Sequence, residues 1–115
     1  MTLPTTIKVG GFIYRVQVVP HISETDSKVQ TGVIDYLASE IRLLDKEGWQ
    51  ARRQTLVHEV IHAILTYCGQ YEANNNEEMI DALSNGLFQV LRENPELVNY
   101  LLEQYQLVPA EVTAP

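Results

Sequence analysis

The hydrophobic period of the chain changes once, near residue 47, and that change restricts the fold more than any other feature of the sequence. Before it, apolar residues alternate or cluster in short β-branched and aromatic runs; after it, they recur every three or four residues. Alternation marks half-buried strands, and the three-four repeat marks amphipathic helices. Strands first and helices afterwards predict an α+β fold. A chain of 115 residues suits one compact domain that can bury a moderate core. We expect that domain over residues 1–107, with a flexible tail over 108–115.

In the first part, Ile7-Lys8-Val9 and the run Phe12–Val19 flank Gly10-Gly11, and Pro20 ends the second run. Two glycines between β-prone segments predict a hairpin over residues 5–19. Residues 20–31 are polar and read as a loop. Gly32–Tyr36 predicts a third strand, Leu37-Ala38-Ser39 a turn, and Glu40–Leu44 a fourth strand; a helix across 36–44 is the competing reading. The expected sheet is small and antiparallel, with three or four strands joined as hairpins.

In the second part, Leu56, Val57, Val60, Ile61, Ile64, Leu65 and Cys68 form one helical stripe, and Gly69 is a natural stop. Residues 70–76 read as a polar connection. Asn75 or Asn76 can cap a second helix whose first turn holds Glu77 and Glu78, where negative charge is favoured. Met79, Ile80, Leu83, Leu87, Val90 and Leu91 are its expected core face. Asn94 as N-cap and Pro95 at the first position start a short third helix with Leu97, Val98, Leu101, Leu102 and Tyr105.

Charge excludes one class of partner. Residues 1–53 carry seven Lys/Arg and six Asp/Glu, whereas residues 54–115 carry Arg92 against nine acids. Nucleic-acid binding draws most of its affinity from phosphate neutralisation, so an acidic chain without a basic stripe is not expected to bind it. No apolar run is long enough to span a membrane, and no secretory leader is visible at the N-terminus. Cys68 is the sole cysteine; with no disulfide to form, the cytoplasm is the expected location. Nothing in the sequence sets the oligomeric state.

The segment with chemistry is His58-Glu59-Val60-Ile61-His62, an HExxH pattern inside the strongest helical stripe. Residues four apart stand one above the other on a helix, so both imidazoles can reach one cation. Glu59 lies about 100° around the helix from His58. That direction suits a general base acting on water beside the metal rather than a third ligand. A catalytic zinc site needs one more protein ligand and an open position. His21 is a distant candidate. Glu77 and Glu78 are better placed, and Glu77 is preferred because it borders the apolar stripe of its helix, while Glu78 falls on the solvent face. Asp81, one turn after Glu77, can accept the outer N–H of a ligand histidine and orient its ring.

With these residues the chain resembles the gluzincin group of zinc peptidases. Their HExxH helix is followed by a helix bearing a ligand Glu and, four residues later, an Asp, as in Glu77-x-x-x-Asp81. The order of elements is most similar to minimal gluzincins encoded by phages and prophages, in which a hairpin like Gly32–Tyr36 and Ile41–Leu43 precedes the motif helix. The resemblance covers about residues 7–92. It implies a zincin-like fold, Zn²⁺ on His58, His62 and Glu77, and cleavage of a peptide or protein substrate with Glu59 as base.

The expected function is therefore zinc-dependent hydrolysis, with a non-catalytic regulatory or binding protein holding structural zinc as the alternative. Spacing does not single out an oxyanion donor among Tyr36, Tyr67 and Tyr71. Ile41–Leu44 is the expected sheet edge on which an extended peptide could add as a strand.

Overall fold

The computed structural model describes residues 2–22 and 30–103. The expected tail at 108–115, Tyr105 and most of the 20–31 loop lie outside the described residues. The strands are β1 (Thr6–Val9), β2 (Phe12–Val19), β3 (Gly32–Asp35) and β4 (Glu40–Leu44). The helices are α1 (Trp49–Tyr67), α2 (Tyr71–Asn74), α3 (Glu77–Glu93) and α4 (Pro95–Glu103). The fold is α+β, as expected. None of the described helices is long and apolar enough to cross a membrane.

The β1–β2 hairpin forms where the two glycines predict it, with Val9 opposite Phe12. Gly10 has φ of +60°, the positive value that the first position of a two-residue hairpin turn favours. The β3–β4 pair is a second antiparallel hairpin, with Asp35 opposite Glu40. Its turn is held by the Ala38 N–H donating to Asp35 Oδ1 at 3.0 Å, and Ser39 adopts φ of +54°.

The sheet corrects the all-antiparallel expectation. Its strand order is β1-β2-β4-β3, and β2 pairs with β4 in parallel, Val16 opposite Ile41. Parallel neighbours need a long crossover. The stretch from Pro20 to Ser39 supplies one and carries β3 with it, so the second hairpin returns with β4 against β2. This order also overturns Ile41–Leu44 as an edge. β4 is interior, and its residues Ile41 and Leu43 are fully buried; among the described strands the edges are β1 and β3.

One face of the sheet builds the core. Val9, Tyr14, Val16, Ile41 and Leu43 pack with Ala63 of α1, and Leu56 and Val60 of α1 lie against them. Across neighbouring strands Arg15 pairs with Glu40 and Arg42 with Asp35, and within β4 Arg42 also pairs with Glu40, at 2.8–3.0 Å. Such partly exposed pairs contribute little to stability, so the packing of α1 on the sheet dominates.

The chain divides into two compact units, residues 1–85 and 86–115. In the first unit, residues 70–76 contain a short helix, α2, rather than only a connection. Asn76 caps α3, its Oδ1 accepting the Met79 N–H at 3.1 Å. The core face of α3 differs from the one expected. Within this unit Ile80 and Ser84 are buried, but Met79 and Leu83 are exposed. The buried face is turned by about 60° from the centre of the apolar stripe, toward the side that carries Glu77 and Asp81. In the second unit, Asn94 ends α3 as well as starting α4. Its Nδ2 donates to Val90 O at 2.8 Å, while its backbone oxygen accepts from Leu97 and Val98. Leu97, Leu101 and Leu102 of α4 are exposed rather than core.

Candidate metal centre

Helix α1 begins after Gly48, which precedes it in extended conformation, and runs unbroken through the HExxH segment. Thr55, His58, Glu59 and His62 follow one another on the face that looks toward β3, α2 and the start of α3. The histidine side chains are 18% and 12% exposed, and Glu59 is 6% exposed. A cavity of about 840 Å³ opens along this face, bordered by Gly32, Val33 and Ile34 of β3, by Tyr36, and by Asn74 and Asp81.

His58, His62 and Glu77 form a group whose ligand atoms all lie within 4.8 Å of one another. His58 Nε2 is 3.1 Å from Glu77 Oε2, and His62 Nε2 is 2.8 Å from Glu77 Oε1. The two Nε2 atoms are 3.2 Å apart. A tetrahedral ion with bonds of 2.0–2.1 Å sets its ligand atoms roughly 3.3–3.4 Å apart. The closest approaches fall short of that spacing by up to about half an ångström, with a different Glu77 oxygen facing each histidine, and the three residues could hold a small divalent cation.

The outer nitrogens are engaged as well. His58 Nδ1 lies 2.8 Å from Asp81 Oδ1, and His62 Nδ1 lies 2.6 Å from Asn74 Oδ1. With each Nδ1–H donated outward, both Nε2 lone pairs converge on one point, which is the tautomer that metal binding requires. Asn74 is itself held: its Nδ2 donates to Thr66 Oγ1 at 3.0 Å and to the Tyr36 hydroxyl at 3.3 Å.

Glu59 sits beside this group without joining it. Burial, and then the charges of Glu77 and Asp81, push its carboxyl up from 4.5 to about 8. Gly32 makes room for it. A Cβ at that position would collide with Thr55 Cγ2 and stand 3.2 Å from Glu59 Oε2. The glycine thus lets the start of β3 approach the middle of α1, where a larger residue would displace Thr55 and press on the Glu59 carboxyl.

Of the residues singled out in the sequence, the structure brings together His58, His62, Glu59, Glu77 and Asp81. Glu78 is exposed and does not border the cavity, and neither does His21. Among Tyr36, Tyr67 and Tyr71, Tyr36 alone lines the cavity; Tyr67 instead packs over Gly10. Asn74 was missed. Its signal was the amide-rich stretch Asn74-Asn75-Asn76, which sequence reasoning used only for capping. No protein-family model, no curated protein and no solved structure matches the chain.

Proposed function

We propose that the protein is a zinc-dependent hydrolase with a zincin-like site, acting on a peptide bond. The observation that supports this most is the meeting of His58 Nε2, His62 Nε2 and the Glu77 carboxylate at 2.8–3.2 Å, with a buried carboxyl, Glu59, alongside. Zinc on those three residues supplies Lewis acidity and a water of lowered pKa. With a cation on those residues, Glu59 would be ionised and could take a proton from an attacking water and return it to the leaving amine. Asp81 and Asn74 keep the imidazoles oriented.

Tyr36 is the candidate donor to the developing oxyanion. Its hydroxyl makes only long contacts, 3.4 Å to His62 O and 3.3 Å from Asn74 Nδ2, so it can turn toward substrate. A peptide is the favoured substrate because β3, an edge strand, borders the cavity along Gly32–Ile34. Its outer edge, which pairs with no other strand among the described residues, can pair with an extended backbone.

The test is metal analysis and turnover on a peptide library, for wild type and Glu59→Gln. The proposal expects stoichiometric zinc in both proteins and cleavage by wild type alone. Zinc in both with cleavage by neither supports the alternative, a structural zinc in a non-catalytic protein. Failure of wild type to bind zinc removes both.

A further inference from the structure

We propose that Asn74 is a positioning residue that ties the metal ligand His62 to Tyr36. One carboxamide fixes both the tautomer of the ligand and the direction of the Tyr36 hydroxyl proton. The use of that proton in catalysis rests on the hydrolase reading; the tie between Tyr36 and the metal does not.

The local chain brings these groups together. Thr66 follows His62 by one helical turn, so both side chains share a face of α1. Gly69, with φ of +73°, follows the helix and turns the chain, and the Gln70 N–H donates to Leu65 O at 2.8 Å. The short helix α2 then ends on Asn74. Tyr36 comes from the turn that follows β3.

Every hydrogen-bonding group of the amide is used. Its Oδ1 stands 2.6 Å from His62 Nδ1. Its Nδ2 donates to Thr66 Oγ1 at 3.0 Å and to the Tyr36 hydroxyl at 3.3 Å. Turned over, the same amide would present an N–H to His62 Nδ1. The ring would then carry its proton on Nε2 and have no lone pair there for a cation. Metal binding therefore needs the amide held one way round. Thr66 does not decide this, since its hydroxyl can either accept or donate. Tyr36 does. Its own proton is directed to His62 O at 3.4 Å, so it offers Asn74 a lone pair, and the amino end of the amide faces it. The contact is long, and the bias it supplies is correspondingly modest.

The same bond orients Tyr36. With Asn74 donating to its oxygen, the phenol keeps its proton for His62 O, or for a substrate oxygen that takes the place of His62 O. Tyr36 lines the cavity beside His62 and Asn74, so the move is a change of acceptor and leaves the contact with Asn74 intact.

The test is a double-mutant cycle on the full chain, with zinc affinity read by competition with a chelating dye. Tyr36→Phe and Asn74→Asp, made alone and together, keep the shapes of the native side chains. A carboxylate presents oxygen to His62 either way round, so Asn74→Asp should bind zinc at least as tightly as wild type. Tyr36→Phe should weaken zinc binding about threefold to tenfold in the native background, the size of one ordinary hydrogen bond, and not at all when combined with Asn74→Asp. Tyr71→Phe, at an exposed tyrosine off the cavity, should change nothing. Unaltered zinc affinity in Tyr36→Phe overturns the inference, as does an equal loss in both backgrounds. Turnover at saturating zinc is the second readout. Asn74→Asp gives the Tyr36 hydroxyl a carboxylate to donate to, so kcat should fall about 100-fold, as far as in Tyr36→Phe, and the pair should be no slower than either alone. Full kcat in Asn74→Asp, or losses that multiply, also overturn it. Cleavage with an additive zinc cycle removes this inference and keeps the hydrolase; the expected zinc cycle without cleavage of any peptide does the reverse.

Discussion

Replacing Glu59 by glutamine should change how the metal-free protein responds to pH. Glutamine keeps the shape of the side chain and removes its ionisation. In the native chain the Glu59 carboxyl is raised from 4.5 to about 8, so between those values the folded state holds a proton that the unfolded state has released. The stability tied to that proton is complete below about pH 4.5 and is lost as pH rises to about 8. A displacement of this size corresponds to at most about 5 kcal/mol. The side chains of Glu77 and Asp81 are 62% and 64% exposed, so solvent screens their share, and water can follow the charge into the cavity. A net effect of about 2–3 kcal/mol is expected. Urea unfolding in chelator, followed by circular dichroism from pH 5 to pH 9, measures it. The two proteins should be nearly equal at the acidic end, and Glu59→Gln should be the more stable by that amount at the alkaline end. Parallel profiles across the range would refute the reasoning, since every other titrating group is common to both. In saturating zinc the gap should narrow, because a cation next to Glu59 favours its ionised form.

Three further expectations follow from particular contacts. Asn74→Ala removes the acceptor for His62 Nδ1 and should weaken zinc binding about 10–100-fold, read by competition with a chelating dye; unchanged affinity would deny Asn74 that role. Gly32→Ala should cost about 1–3 kcal/mol in urea unfolding through its collision with Thr55, and Thr55→Ser in the same chain should restore part of the loss by removing the offending methyl group. Ile80→Ala should cost about 2–5 kcal/mol, whereas Leu83→Ala should stay within about 0.5 kcal/mol; the reverse order would place the buried face of α3 on its apolar stripe.

Much of this protein was legible because it is local. The HExxH spacing stacks His58 on His62 in any α-helix, whatever surrounds it, and the Glu77–Asp81 spacing does the same on α3. Alternation at Glu40–Leu44 marked a strand, and the paired glycines marked the first hairpin, since turn geometry involves only neighbouring residues. Between elements, the sequence determined less. The insertion of β4 beside β2 depends on where a long crossover lands, which no short-range pattern records. The rotation of α3, which buries Ser84 and leaves Leu83 exposed, depends on what the helix packs against. That rotation aims Glu77 and Asp81 at the histidines. Asn74, at the end of α2, and Glu47, in the loop before α1, border the cavity only once the sheet, α1 and α2 have packed. Residue spacing along one helix is dictated by backbone geometry alone; the meeting of residues from different elements is a property of the whole packed core, and the tertiary structure decided it.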